Sequence, residues 1–160
     1  MLSVTLLAVG KLKERYFADA CAEYQKRLSA FCKLSLIEVE EYRLPDHPSQ
    51  AQIEEGILQE GKRLAAKIPG GSFLITLCVE GKLLSSPQLA QEVEKVALSG
   101  TSAITFVIGG SNGLWEELKT KSGLRLSISP MTLPHQLARV VVLEQIYRAM
   151  TINNNQKYHK

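Results

Sequence analysis

Short apolar and β-branched runs alternate along this chain with longer stretches of helical period, and that alternation leaves few folds open. The run 2–9 ends at Gly10, after which Tyr16, Ala20, Tyr24 and Leu28 recur at the spacing of one helix face. Residues 34–39 form a second strand. Beyond a polar loop holding Pro45 and Pro48, Ser49 and Gln52 make a capping box for a helix reaching about residue 67. The stretch 72–79 is almost continuously apolar, as a strand covered on both faces should be. Ser86 reads as the N-cap and Pro87 as the first residue of a third helix running to about residue 98. Residues 103–108 and 124–128 are two further strands around a short helix at 114–121, and a last helix runs from Pro134 to about residue 152. This order predicts a single α/β domain over residues 1–160 with a mainly parallel sheet.

A chain of 160 residues can bury roughly two thirds of its unfolded surface, enough for a core without disulfides or metal. Its 45% hydrophobic and 22% charged residues are those of a folded protein. The longest apolar runs, 4–9 and 73–79, are too short to cross a bilayer, and the first residues lack a basic secretion signal, so a cytoplasmic location is expected. Cys21, Cys32 and Cys78 are odd in number and lack the close spacing of a metal site or redox pair. They are expected to be reduced and structural, with no metal bound. The net charge of +3 is uneven: residues 1–30 carry +2, residues 31–114 carry −3 and residues 115–160 carry +4. A basic C-terminal part suits an anionic partner such as nucleic acid.

The last helix is apolar in almost every direction, through Leu137, Ala138, Val140, Val141, Val142, Leu143, Ile146, Tyr147, Ala149 and Met150. Such a helix must be buried on more than one side, either by the rest of the chain or by a second copy; the small size of the chain favours a homodimer. Upstream of it, residues 106–113 place Gly109, Gly110 and Gly113 at the carboxyl end of a strand, where open α/β sheets bind ligands. The adjacent pair Gly109–Gly110 does not make a dinucleotide fingerprint, and no P-loop lysine follows. Residues 126–135 form another polar strand end whose backbone could bracket a flat heterocycle, and His135 sits where the helix dipole favours a neutral ring. Within the last helix Glu144 and Arg148 have the polarity of an i, i+4 ion pair. Arg139 reads either as solvent-facing or as a contact for RNA phosphate or an opposite subunit. The tail combines Tyr158, His159 and Lys160, which together could stack on a base, titrate near neutrality and bind phosphate.

Taken together, residues 106–113 and 127–139, the run Glu144-Gln145-Ile146-Tyr147-Arg148-Ala149 and the closing Tyr158-His159-Lys160 resemble the signature of the ribosomal RNA large subunit methyltransferase H family, of the SPOUT class. The likeness extends through Ala8-Val9-Gly10 and Leu77-Cys78-Val79-Glu80-Gly81-Lys82, and so spans essentially the whole chain. It implies a SPOUT-type α/β-knot, with the C-terminal part threaded into a trefoil, and a homodimer whose active sites are each completed by the partner. The implied activity is methylation of N3 of a pseudouridine in large-subunit rRNA, free or in the assembled ribosome, with S-adenosyl-L-methionine as cofactor. The adenosine would lie among Leu77, the pair Gly109 and Gly110, and the loop Ile128, Ser129, Pro130, Met131, Thr132 and Leu133. Proton removal and positioning point to His159 or Tyr158 near the target base, Arg139 and Arg148 holding RNA or the deprotonated ring, and His135 shaping the site. Asn155 and Lys157 stand where the family often has Gly and Pro; Asn tolerates a left-handed turn. Two other classes share parts of the pattern: a flavodoxin-like or Rossmann-like nucleotide-dependent oxidoreductase, and a non-catalytic RNA-binding partner of the ribosome.

Overall fold

The computed structural model describes residues 1–160. Five strands, β1 (Ser3–Val9), β2 (Lys33–Val39), β3 (Phe73–Leu83), β4 (Ala103–Ile108) and β5 (Leu124–Ser127), form one sheet in the order β2-β1-β4-β3-β5. Every pairing is parallel. Between the strands run α1 (Arg15–Leu28), α2 (Gln50–Ala65), α3 (Ser86–Leu98) and α4 (Glu116–Lys121), and α5 (His135–Asn153) closes the chain.

Strand alternation divides the core into two layers. Val4, Leu6 and Ala8 of β1 with Ile104, Phe106 and Ile108 of β4 pack against α1, α3 and α5. Leu7, Val9 and Val107 point the other way, against Leu64 of α2 and Leu118 of α4. Both faces of β1 and β4 are covered, which is why their sequences read as unbroken apolar runs. On the first face α5 lies between α1 and α3. The chain itself therefore buries Ala138, Val142, Leu143, Ile146, Ala149 and Met150, while Leu137, Val140 and Val141 stay partly accessible. Much of the all-round apolar character of α5 is thus satisfied within one subunit.

Most boundaries fall within two residues of the sequence expectation, and two of the differences have a clear cause. The N-cap of α3 is Ser85, not Ser86: its hydroxyl accepts from Gln88 N while Gln88 Oε1 accepts from Ser85 N at 2.8 Å. Reading Pro87 as the first helical residue shifted the cap by one position, and the reciprocal bond to Gln88 decides it. Strand β3 also continues past residue 79 to Leu83, because it meets β5 twice, with a register shift between Leu77 and Lys82. At this crossing a Cβ on Gly81 would lie 2.8 Å from the main chain of Leu126 and 2.9 Å from that of Arg125. Only glycine lets the two strands approach so closely.

Candidate active site at the two ends of the last helix

The carboxyl ends of β3, β4 and β5 open into a cleft of about 550 Å³. Leu77 comes from β3, while Ile108, Gly109, Gly110, Ser111 and Gly113 form the turn after β4. Ile128, Ser129, Met131, Thr132 and Leu133 supply the loop after β5, and His135 and Ala138 the start of α5. The three loops singled out in the sequence are thus brought together around one space; of the cofactor residues expected there, all but Pro130 line it. The volume suits a nucleoside-sized ligand, with apolar walls and few polar groups.

The glycine turn is shaped by what surrounds it. Gly113 has φ +108° and donates its N–H to Gly110 O at 3.1 Å, and a Cβ on Gly109 would stand 2.7 Å from Gly113 O. The missing Cβ of Gly110 faces Glu60 of α2, whose Oε1 would be 2.7 Å away. Gly110 therefore accommodates the buried Glu60 and does not itself open the cleft. Glu60 accepts from Tyr42 N at 3.0 Å, and burial raises its pKa. Sequence reading missed Glu60 because nothing in the pattern of an amphipathic helix marks one acid as inward-facing. In the loop after β5, Ser127 Oγ donates to Ser129 O and Ser129 Oγ accepts from Met131 N at 3.0 Å, which holds the backbone turned around the cleft. At the rim, Lys119 Nζ binds Glu80 at 2.5 Å and holds its carboxyl below the ordinary range.

Below the first turn of α5, Arg139 is buried and not solvent-facing. It ion-pairs with Glu38 and donates to Val9 O at 3.1 Å and Gly10 O at 2.6 Å, while its Nε–H finds no partner. Spacing alone could not foresee this, since the partners lie at the ends of β1 and β2. His135 is half-buried; burial, then the neighbouring Arg139 charge, lowers its pKa, so its ring is neutral at pH 7.

The tail forms a second cluster. Asn155 takes φ +54°, the left-handed turn, and Gln156 N donates to Thr151 O at 2.8 Å, folding the chain back along α5. Tyr158 then lies edge-on to Tyr147, centroids 4.8 Å apart, with the Arg148 guanidinium 4.7 Å from its ring centre. Its hydroxyl donates to Glu144 at 3.1 Å, and Arg148 holds the same carboxylate at 2.5 Å. Burial and the Glu144 bond raise the Tyr158 pKa, so the phenol keeps its proton. Arg148 Nη1 also reaches His159 Nδ1 at 3.3 Å. A guanidinium only donates, so Nδ1 accepts and the ring proton sits on Nε2. Between His135 and Arg148 the helix rises about 20 Å, so the cleft and the tail cluster lie toward opposite ends of α5.

Comparison with known proteins agrees with this arrangement. A family model described as "Predicted SPOUT methyltransferase" matches residues 2–159. A protein of Pelotomaculum thermopropionicum named "Ribosomal RNA large subunit methyltransferase H" is 48% identical over 159 residues, 99% of each chain. One of the same name from Leuconostoc citreum is 46% identical, over 99% of this chain and 100% of its own. Among solved structures, a probable methylase family protein from Haemophilus influenzae shares the fold, with a TM-score of 0.54 at 17% identity, covering 100% of this chain and 72% of that one. A parallel sheet with its cleft at the carboxyl strand ends, and this similarity along the full chain, place the protein in the SPOUT methyltransferase family.

Proposed function

We propose that the protein methylates N3 of a pseudouridine in large-subunit rRNA as a homodimer, using S-adenosyl-L-methionine. The observation that carries the reading is the convergence of the loops after β3, β4 and β5 on one nucleoside-sized cleft, in a chain nearly half identical to enzymes named for large-subunit rRNA methylation. The residues present fit such a cofactor: Leu77, Ile108 and Leu133 offer apolar walls to a flat base, and Ser111, Ser129 and Thr132 offer hydroxyls to a ribose. When bound there, the cofactor supplies an electrophilic methyl group. His135 and Ala138 close the floor of the cleft, and Arg139 fixes that helix turn to the end of β1.

The separation of about 20 Å along α5 supports a dimer in which the tail of one subunit meets the cleft of the other. Val79 and Leu83 at the end of β3 and Met131 in the loop after β5, all exposed and apolar, with Leu137 and Val141 of α5, provide surface for that contact. The Gly81 crossing of β5 supports the knotted path implied by the family resemblance. In the tail, Glu144 is already engaged by Arg148 and Tyr158, while the exposed His159 accepts from Arg148 through Nδ1 and keeps its proton on Nε2. As the N3 proton passes to solvent water and N3 takes the methyl group, this set would direct N–H groups at the negative charge on the ring. The oxidoreductase alternative has no counterpart in the glycine turn, whose geometry is set by Gly113 and Glu60.

The test is calorimetry with S-adenosylmethionine, NADH and FMN, followed by mass spectrometry of rRNA from ribosomes lacking the modification. Binding of S-adenosylmethionine alone and one added methyl on the pseudouridine are expected. Binding of FMN or NADH instead, or an unmodified pseudouridine after incubation, sinks the reading.

A further inference from the structure

We propose that Arg27 of α1 binds an RNA phosphate beside the methylated nucleotide, so that the substrate site extends from the tail onto the first helix; this rests on the rRNA reading above. The aromatic cluster that seats the tail is wider than Tyr147 and Tyr158: Phe31 stands 6.0 Å from Tyr147 and Tyr24 stands 6.2 Å from it. Arg27 lies over this platform, its guanidinium carbon 5.4 Å from the Tyr24 ring centre and 5.8 Å from that of Tyr147. Arg148 lies over Tyr158. Two guanidinium groups therefore bracket one cluster of tilted and edge-on rings, an arrangement suited to an RNA base with its flanking phosphate.

Their engagements differ. Arg148 is committed to Glu144, Tyr158 and His159. Arg27 has one carboxylate partner, Glu23, a turn away on the same helix at 3.0 Å, with both side chains about half exposed. Exposed pairs of this kind contribute little and exchange readily for a stronger anion. With its guanidinium over the rings, Arg27 presents a planar N–H fork, the group that can take two phosphate oxygens at once. Lys26 beside it and Lys160 at the end of the tail are exposed and add positive charge without a fixed direction.

The experiment compares wild type, Arg27→Gln and Arg27→Lys in binding to unmethylated ribosomes between 50 and 200 mM salt, with steady-state methylation alongside. Arg27→Gln should raise KM for ribosomes about 10-fold, affect kcat less than KM, and lower the salt slope of log affinity by about one. Lysine should restore the slope, since it keeps the charge, and calorimetry should find S-adenosylmethionine affinity unchanged in both variants. An unchanged slope and KM in Arg27→Gln overturns the proposal. So does equal weakening by Gln and Lys with an unaltered slope, which would make Arg27 only a brace for Tyr147. If wild type itself methylates no rRNA, the reading beneath the proposal falls and Arg27 falls with it.

Discussion

The two ends of α5 do different work although one helix joins them. At its start, His135 and Ala138 face a preformed concave cleft, and the charged residue of that turn, Arg139, is buried and tied to the sheet. At its end, Arg148, Tyr158 and His159 are tied mainly to one another and to Glu144, on a convex aromatic surface. A concave end holds a small molecule; a convex, cationic, aromatic end offers itself to a macromolecule. One rigid element thus carries two clusters of unlike character, and under the proposed dimer a second copy brings unlike ends together.

The sharpest way to break this comparison is to delete residues 156–160, or make His159→Ala. Methyl transfer should fall roughly 10²-fold or more, as when one donor to a developing anion is lost. Cofactor affinity by calorimetry and dimerisation by light scattering should barely change. Blocking the other end with Ser111→Trp should cost at least about 10-fold in cofactor affinity while the fold, read by circular dichroism, persists. Equal mixing of the tail-deleted and Ser111→Trp chains should then restore about a quarter of wild-type activity, because half the dimers are mixed and each has one complete site. A mixture as inactive as its components would remove the shared site. At the stability level, Arg139→Met should lower the unfolding free energy in urea by about 2 kcal/mol, since Val9 O, Gly10 O and Glu38 lose their buried donor. Ser85→Ala, by removing the α3 cap, should cost about 1 kcal/mol and leave methylation intact.

The smallest effect concerns pH. The folded His135 pKa is lowered, so its contribution is complete above the ordinary histidine value and is lost as pH falls through the folded one. His135→Gln should therefore flatten the decline in stability between about pH 7 and pH 5.

Much of this division was legible before any coordinates. Periodicity located all five strands and five helices because β1 and β4 are covered on both faces, and the glycines after β4 marked the cleft. Arg139 and Glu60 were misread or missed for a common reason: their partners lie 101 residues away at Glu38 in one case and across the glycine turn in the other, and local spacing carries no record of such contacts. The aromatic seat of the tail was hidden likewise, since Tyr24 read simply as part of one helix face and nothing marked Phe31 as its neighbour in space. Asn155 was foreseen more closely, because the left-handed turn it adopts at φ +54° is a local property of the residue.

The crossing at Gly81 has a kinetic consequence. Residues 81 and 125–126 touch main chain to main chain, so the extension of β3 and the whole of β5 must arrive at one place although more than 40 residues separate them. Neither segment can slide into register once the other is seated, since there is no side-chain layer between them to yield. Contacts between parts so distant in the chain are expected to make assembly slow. Unfolding must part the same two strands, so a contact this close between distant segments is expected to slow their separation as well.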